Sequence, residues 1–227
     1  MKVIVTGSSG LIGRAVCEYL QAAGYEINPI DFPSNLCDEQ EVKDLFSKVP
    51  WLRGNEALIN CFALNDHIRH GYECQSRLMD ISLESFSDYL KTNVTALFSV
   101  CREFARNNQH GSIVNFTSTY GLGSPNPSLY GDGEKHIAYG VSKAAVIQLT
   151  KHLAVHWAPN IRVNCIAPGG VENGQPNEFI EAYSKLTPMG RMAKVEEICG
   201  LVEFLISDKS SYCTGGVYPV DGGWTAW

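Results

Sequence analysis

The chain has 227 residues, of which 44% are hydrophobic, and its formal net charge is −6. A chain of this length fits one α/β domain with a sizeable core and leaves little room for another, so we predict a single domain over residues 1–227. The acidic balance, without a basic cluster, argues against nucleic acid and against an anionic membrane surface as partners.

Short buried apolar runs alternate along the chain with longer amphipathic ones, which is typical of βαβ units on a parallel sheet. The predicted strands cover residues 2–6, 25–31, 57–62, 112–117, 162–166 and 217–220. The predicted helices cover residues 11–23, 38–48, 82–106, 136–156, 177–185 and 195–207. The pattern predicts an α/β fold, with a single doubly wound Rossmann-type parallel sheet of about six strands.

Two connections have unusual lengths. Only six residues separate Asp31 from Asp38, too few for a helix and a returning strand. We therefore expect the usual outermost third strand to be missing and the second strand to lie at the edge of the sheet. Conversely, residues 119–138 form a long connection rich in glycine and proline, and connections of this kind are usually functional.

The eight cysteines are scattered without C-x-x-C spacing, mostly in apolar segments where a reduced thiol acts as a small hydrophobe. No apolar run is long enough to span a bilayer, and the first strand begins at residue 2, so we expect neither a membrane span nor a signal peptide. These features predict a cytoplasmic protein with free thiols. His67, His70 and Cys74 lack the paired spacing of zinc motifs, so we predict no metal.

The first predicted strand ends in a glycine-rich turn that opens the first helix. Gly7, Gly10 and Gly13 let the backbone approach a pyrophosphate, which the free N–H groups and the dipole of the helix N-terminus attract. The flanking strand and helix are the context that dinucleotide binding requires, so this interpretation outweighs a chance glycine turn.

Asp31 ends the second predicted strand. A carboxylate there accepts hydrogen bonds from the adenosine ribose hydroxyls and repels a 2′-phosphate, which favours NAD over NADP. The alternative is that Asp31 only caps a loop.

Tyr139 precedes Lys143 by four residues in a predicted helix, so the phenol and the ammonium lie on the same face. A nearby cation lowers the pKa of a tyrosine from about 10 toward the working pH, as a proton-transferring acid/base requires. Ser118 ends a predicted apolar strand and adds a third polar group. The alternative is an ordinary tyrosine–lysine pair on a helix surface.

These segments, in this order, resemble the short-chain dehydrogenase/reductase family over nearly the whole chain. The matching segments are residues 6–13, Asn93, Ser118, Tyr139 with Lys143, Pro168-Gly169 and residues 214–223. The resemblance implies that Tyr139 is the acid/base, and that Lys143 lowers its pKa and holds the nicotinamide ribose. It also implies that Ser118 polarises the substrate carbonyl and that Asn93 anchors a water in the proton relay.

The resemblance further implies where a nicotinamide cofactor binds. The implied cofactor-binding residues are Gly7, Ser9, Gly10, Leu11, Ile12, Gly13, Asp31, Leu36, Asn60, Cys61, Phe62, Tyr139, Lys143, Pro168, Gly169 and Val171. The chain departs from the family pattern in its G-x-x-G-x-x-G spacing and in residues 60–63, Asn-Cys-Phe-Ala where Asn-Asn-Ala-Gly is usual. Asn173 stands where a threonine often holds the carboxamide; asparagine also donates and accepts, so we expect function to be retained.

The loops 118–121, 168–176 and 187–191 narrow the resemblance to dehydrogenases of bacterial surface-sugar clusters, the flagellin-modification type linked to legionaminic-acid-like sugars. Polar side chains in these loops suit a polyhydroxylated small molecule. The candidate substrate residues are Tyr120, His136, Asn173 and Gln175, with Asn126, Asp132 and Glu172 as further polar loop residues. The alternative is that these residues only cap turns.

Three hypotheses for function follow. The leading one is an NAD-dependent oxidoreductase that moves a hydride between the cofactor and a hydroxyl or keto group of a sugar derivative, in surface-sugar biosynthesis. The second is an oxidoreductase of a non-sugar alcohol or a 3-oxoacyl substrate, against which the acidic chain argues weakly because acyl-carrier partners are themselves acidic. The third is a non-catalytic cofactor sensor, which has no need of a proton relay.

Trp224 and Trp227 lie at the end of the chain, where exposed aromatic rings are unfavourable unless something covers them. In the family that this chain resembles, the C-terminus commonly packs at a subunit interface, so we expect a homodimer or a homotetramer. The alternative is that the end of the chain folds back onto its own surface.

Overall fold

A computed structural model describes residues 1–31, 36–49, 54–65, 77–131 and 133–227. The histidine and cysteine cluster around residue 70 and the loop residue Asp132 lie outside the described residues. The seven cysteines within the described residues are all free thiols. In the same part of the chain, no helix combines the length and the apolar character that crossing a membrane demands.

Six strands of the described residues form one parallel sheet. They are β1 Lys2–Thr6, β2 Glu26–Ile30, β3 Asn55–Asn60, β4 His110–Phe116, β5 Ile161–Pro168 and β6 Val217–Val220. Their order in the sheet is β2-β1-β3-β4-β5-β6, and every pairing is parallel. The predicted Rossmann-type sheet is therefore confirmed, with β2 at its edge as the short connection after Asp31 predicted.

Helices on both faces cover the sheet. They are α1 Leu11–Ala22, α2 Glu39–Ser47, α3 Leu83–Leu90, α4 Leu97–Asn107, α5 Thr119–Leu122, α6 Ile137–Trp157, α7 Asn177–Leu186 and α8 Glu196–Ile206. Asp38 and Ser82 cap α2 and α3 by accepting backbone N–H bonds with their side chains. Caps of this kind satisfy donors that a helix N-terminus otherwise leaves unpaired.

One prediction about these helices was wrong. The sequence indicated a single α-helix over residues 82–106, whereas the π-helical segment Lys91–Ala96 separates α3 from α4. A π-helical segment places an extra residue in its turn, and such segments are frequent at functional sites. Here the segment contains Asn93, whose buried side chain bonds to groups outside the helix.

The sheet separates two apolar layers, because successive side chains of a strand point to opposite faces. Ile4, Leu58 and Ile113 are neighbours in register and pack in the layer that holds α2, α4 and α6. Val5 and Ile59 point the other way and pack in the layer that holds α1 and α8. The carboxyl ends of all six strands therefore share one edge between the layers, which is where ligands bind in open parallel sheets.

A smaller aromatic cluster lies beside this edge. Trp224 stacks on Tyr183, with ring centres 4.3 Å apart and an interplanar angle of 9°. Trp224 thus folds back onto its own chain, as the alternative interpretation predicted. Trp227 remains 81% exposed.

Candidate active site

Tyr139 and Lys143 lie one turn apart on α6, at the edge where the strands end. The Lys143 Nζ is 5.7 Å from the centre of the Tyr139 ring. The lysine is only 4% exposed, and its Nζ donates a hydrogen bond of 2.9 Å to the carbonyl oxygen of Phe116, the last residue of β4. The sequence spacing therefore places both groups on one face, with Lys143 anchored to the sheet.

Ser118 follows β4 and caps the short helix α5, where its Oγ accepts a bond of 3.1 Å from the backbone N–H of Tyr120. Its side chain also acts to lower the pKa of Tyr139. The two segments approach closely because Thr117 Oγ1 donates to the Lys143 carbonyl oxygen at 2.6 Å. A Cβ at Gly121 would lie 2.6 Å from that same Oγ1, so only glycine fits there.

The protonation of this pair differs from the sequence-based expectation. Burial raises the pKa of Tyr139 above 10, although the Ser118 hydrogen bond acts to lower it. Burial also lowers the pKa of Lys143 from 10.5 to about 8. Burial therefore decides the direction of both shifts in the free protein, and the expected lowering of the tyrosine pKa by Lys143 stays a prediction.

Asn93 connects the end of β3 to α6. It is 2% exposed, and its Oδ1 accepts a bond of 2.6 Å from the Leu64 N–H. Its Nδ2 donates to the Leu64 carbonyl at 3.1 Å and to Ser142 Oγ at 2.9 Å, and Ser142 Oγ donates to the Tyr139 carbonyl at 2.8 Å. The side chain fixes the frame around Tyr139, while its role in holding a water stays a prediction.

The backbone of the glycine turn packs too closely for a side chain at Gly7 or Gly13. Gly7 has a φ of +70°, and a Cβ there would lie 2.6 Å from the Phe62 backbone nitrogen. A Cβ at Gly13 would lie 2.1 Å from the Gly7 carbonyl oxygen. Gly10 begins α1 without a side-chain cap. The backbone N–H groups that follow it, from Leu11 onward, suit a pyrophosphate, so the turn fits a dinucleotide.

Asp31 lies beside this turn. Its Oδ1 accepts a bond of 2.8 Å from the Ser9 N–H, and its Oδ2 accepts one of 2.7 Å from Ser8 Oγ. Burial acts to raise the pKa of Asp31, but the hydrogen bonds from Ser8 and Ser9 together hold it below its usual value. Asp31 therefore caps the turn as an ionised carboxylate, which retains lone pairs for further donors such as ribose hydroxyls.

Several other predicted cofactor residues support the walls of the site. Leu36 and Phe62 are buried in the apolar layer of α2 and α4. Asn60 accepts a bond of 2.9 Å from Thr6 Oγ1 and donates one of 2.9 Å to Asn115 Oδ1, so its amide links three strands. These side chains all contact other parts of the protein, and their direct contact with a cofactor stays a prediction.

Cys61, Pro168, Gly169 and Val171 lie where β3 and β5 end. The Cys61 N–H donates to the Thr6 carbonyl at 2.9 Å, and burial raises the pKa of its thiol. The Gly169 N–H donates to the Val220 carbonyl at 2.9 Å, and Val171 forms a parallel bridge with Ala193.

The candidate substrate residues divide into two groups. The Tyr120 hydroxyl bonds the Tyr130 hydroxyl at 2.6 Å, close to the end of β4. His136 caps α6, with Nδ1 accepting from the Ala138 N–H at 3.2 Å, and its ring stacks on Tyr89 at 4.3 Å. His136 Nε2 also lies within hydrogen-bond distance of Ser85 Oγ, at 3.0 Å, so the residue both caps α6 and contacts α3, and its contact with a substrate stays a prediction.

The loop after β5 is closed by Gln175. Its Oε1 accepts a bond of 2.6 Å from the Asn173 N–H, and its Nε2 donates to the Val171 carbonyl at 2.8 Å. The Asn173 side chain is exposed. Gln175 thus caps a turn, and substrate contact by either residue stays a prediction.

The sequence interpretation missed two residues of this region. Lys135 Nζ lies 4.5 Å from the centre of the Tyr139 ring. Its four-residue spacing from Tyr139 was a usable signal, but the predicted helix began one residue later. Tyr183 Oη accepts a bond of 2.6 Å from the Gly170 N–H and thereby holds the loop after β5. No local pattern could have indicated that contact.

Comparisons with known proteins agree with this geometry. A family model described as enoyl-(acyl carrier protein) reductase matches residues 1–225. An uncharacterised short-chain type dehydrogenase/reductase of Sinorhizobium fredii is 32% identical over 98% of this chain, which spans 43% of that relative's length. The 3-oxoacyl-(acyl-carrier-protein) reductase FabG of Aquifex aeolicus is 31% identical over 97% of this chain and 86% of its own. The post-translational flagellin modification protein A of Campylobacter coli is 28% identical over 98% and 97%.

Two solved dehydrogenase structures are also similar to this chain over nearly its whole length. A short chain dehydrogenase of Leptospira borgpetersenii with bound NAD⁺ superposes with a TM-score of 0.85 at 28% identity, over 99% of this chain and 92% of that one. A putative 2-deoxy-D-gluconate 3-dehydrogenase of Agrobacterium tumefaciens with bound NADP has a TM-score of 0.82 at 26% identity, over 100% and 96%.

The glycine turn yields the first testable prediction. A methyl group at residue 13 cannot fit 2.1 Å from the Gly7 carbonyl, so Gly13→Ala must displace the turn. We expect NADH affinity to fall at least about 10-fold, or roughly 1.4 kcal/mol. Gly200→Ala is the matched control, because a Cβ at Gly200 meets nothing within 4 Å. Fluorescence titration with NADH measures both variants, and equal affinities would contradict the assigned role of the turn.

The lowered pKa of Lys143 yields the second testable prediction. Because this pKa falls from 10.5 in the unfolded chain to about 8 in the folded protein, the unfolded state binds more protons than the folded state between these two pH values. The destabilisation from burying this ammonium is fully present below about pH 8 and is relieved as the pH rises, by at most about 1.4 kcal/mol per unit.

We therefore expect the free energy of unfolding of the wild-type chain to rise relative to that of Lys143→Met between about pH 8 and about pH 10. Urea unfolding across this range measures the difference. Lys151→Met, which removes an exposed lysine of the same helix, should track the wild type. A difference between wild type and Lys143→Met that does not change with pH would contradict the lowered pKa.

Proposed function

The chain belongs to the short-chain dehydrogenase/reductase family and is an NAD(P)-dependent oxidoreductase; we propose that it transfers a hydride between NAD and a hydroxyl or keto group of a sugar or sugar derivative. The observation that carries the proposal is the convergence of Ser118, Tyr139 and Lys143. Ser118 acts to lower the pKa of Tyr139, and Lys143 Nζ lies 5.7 Å from the centre of the Tyr139 ring.

The side chains of the protein transfer the proton and stabilise the charge on the substrate oxygen. The cofactor, when bound, supplies or removes the hydride. Ser118 Oγ and Tyr139 Oη together bind the reacting oxygen; Tyr139 donates a proton to it in reduction and removes one in oxidation. Because burial raises the pKa of Tyr139, the free protein holds the phenol ready to donate. Oxidation requires the phenolate, and higher pH favours that form.

A polyhydroxylated substrate suits the groups around this centre. The paired hydroxyls of Tyr120 and Tyr130 lie at the wall of a cavity of about 600 Å³ and can each exchange hydrogen bonds with a polyol. The flagellin modification relative and the gluconate-type dehydrogenase neighbour support a sugar, and the former supports a place in surface-sugar biosynthesis.

A 3-oxoacyl substrate is the second candidate. The Aquifex aeolicus relative and the description of the family model favour it. The net charge of −6 opposes docking of an acidic carrier protein. A non-catalytic cofactor sensor is the third candidate, and it does not account for the intact set of Asn93, Ser118, Tyr139 and Lys143.

Asp31 supports NAD over NADP. Its carboxylate is ionised and lies beside the glycine turn, where it would meet the 2′-phosphate of NADP with like charge.

We also propose a cytoplasmic homodimer or homotetramer. Apolar side chains lie exposed along α4 and α6, among them Phe98, Val141 and Val155, the last 77% exposed. Covering them in a subunit contact would remove this apolar surface from water.

The proposed function is tested by following NADH absorbance with purified protein, NAD and a panel of sugar phosphates, nucleotide sugars, polyols and 3-hydroxyacyl thioesters. NADH formation with a sugar derivative is the expected result. Turnover of thioesters alone would select the second candidate, and tight NADH binding without any turnover would select the sensor.

Tyr139→Phe should abolish proton transfer without disturbing the fold, because it removes only the hydroxyl. We expect kcat to fall roughly 100- to 10,000-fold, while NADH affinity stays close to that of the wild type. Tyr212→Phe, at a fully exposed tyrosine, is the matched control. Steady-state kinetics and NADH titration give the two readouts, and retained turnover in Tyr139→Phe would rule out this mechanism.

Asp31→Asn should shift cofactor preference, because it removes the charge and keeps the shape. A unit charge repelled at about 4 Å costs roughly 1–4 kcal/mol between aqueous and protein-surface dielectric values, so we expect the NAD-to-NADP preference to fall about 10-fold or more. Titration with NADH and NADPH measures the ratio. An unchanged ratio would show that Asp31 acts only as the cap of the glycine turn.

A further inference from the structure

Two exposed histidines lie one turn apart near the C-terminal end of α6. His152 and His156 are both exposed, and their ring centres lie 6.2 Å apart with an interplanar angle of 14°. Residues four positions apart on a helix are neighbours on its surface. The two imidazoles therefore lie side by side on the outer face of α6.

The ring nitrogens of this pair are not engaged within the described part of the chain. Among the residues that the structure describes, neither imidazole forms a hydrogen bond or an ion pair. Histidine is the commonest metal ligand in proteins, and two histidines at this helical spacing can bind one Zn²⁺ ion. His156 also lies in the last turn of α6, where the partial negative charge of the helix end favours a cation.

The two rings need only a small adjustment to share an ion. Imidazole nitrogens bind Zn²⁺ at about 2 Å, so the ring centres must approach each other by roughly 1 Å. Exposed side chains change rotamer freely, which permits this movement. No group of three or more histidine, cysteine, aspartate or glutamate side chains among the described residues could hold a metal. Water would therefore complete the coordination.

We propose that His152 and His156 form a two-nitrogen site for a divalent transition metal, Ni²⁺, Cu²⁺ or Zn²⁺, on the surface of α6. Imidazole suits these ions, whereas Mg²⁺ and Ca²⁺ prefer oxygen ligands. The prediction of no metal rests on the cluster around residue 70, which lies outside the described residues and does not bear on this pair. The inference goes beyond the proposed function, because His152 follows Lys143 by nine residues, about 14 Å along the helix.

Two histidines that act independently would bind metal in a different pattern. If each imidazole bound its own ion, removing one would leave the affinity of the other unchanged. Chelation by both makes the second bond intramolecular, so removing either histidine lowers the affinity about 10-fold or more. Removing the second histidine after the first then has little further effect.

Calorimetric titration with NiCl₂ compares the wild type with His152→Ala, His156→Ala and the double variant. Ni²⁺ is the probe because Cu²⁺ would oxidise the free thiols. His110→Ala is the matched control, since it removes an exposed histidine at the start of β4, and MgCl₂ is the control salt. His67 and His70 stay in every variant, so any binding there contributes the same background.

A relocated histidine tests the geometry of the pair and not the number of histidines. Lys151→His combined with His152→Ala keeps that number but moves one imidazole by about 100° around the helix. We expect this relocated variant to bind Ni²⁺ as weakly as His152→Ala does. Val155 lies between the two histidines and is 77% exposed. Light scattering of each variant therefore checks that the oligomeric state, and with it the access of Ni²⁺, is unchanged.

The expected result is one Ni²⁺ ion bound through this pair in the wild type and in His110→Ala, with an affinity about 10-fold or more lower in the other variants. Ni²⁺ should also raise the melting temperature of the wild type, because the ion binds the folded helix. Equal affinity in the wild type and His152→Ala, or full affinity in the relocated variant, would overturn the inference. Neither substrate nor NADH enters these measurements, so their failure is distinct from a failure of the proposed hydride transfer.

Discussion

The geometry of the active site depends on one buried amide. Asn93 lies in the π-helical segment and joins the residue after β3 to the helix that carries Tyr139, through Leu64 and Ser142. A buried polar group that loses its partner costs about 1–3 kcal/mol, so these contacts act together and hold their parts in one arrangement. The position of Asn65 next to Leu64 extends the same frame to Lys135. Displacing the amide would therefore disturb the frame around Tyr139 and the segment that follows β3.

Burial disfavours the charged forms of the two central groups of the free site. Burial raises the pKa of Tyr139 and lowers that of Lys143, so it favours phenol and amine over phenolate and ammonium. The Phe116 carbonyl and the Ser118 side chain offset part of this cost by hydrogen bonding. Ionisable groups are shifted in this way at many active sites, where the shift brings a pKa nearer to working pH. For Lys143 the shift toward 8 has this direction, while Tyr139 requires an added favourable charge or hydrogen bond before it ionises.

The features that the sequence predicted correctly are those that a few neighbouring residues determine. Apolar runs separated by amphipathic segments indicated the parallel sheet, and the short connection after Asp31 indicated that β2 is an edge strand. The spacing of Tyr139 and Lys143 placed them on one face. The features missed depend on contacts between distant segments: Asn93 meets Leu64 across 29 positions, and Tyr183 meets Gly170 across 13. The pKa of a buried group also depends on distant segments, because the whole fold determines how deeply the group is buried.

Asp31 directly follows the edge strand β2, where it caps the glycine turn and places a negative charge beside it. With no strand outside β2 in the described sheet, its carboxylate lies next to the glycine turn and holds Ser8 and Ser9. The two hydrogen bonds keep it ionised, and the same negative charge opposes a 2′-phosphate. If Asp31 sets the cofactor preference as proposed, turn stability and cofactor choice rest on a single group, and the chain cannot change one by removing this charge without changing the other.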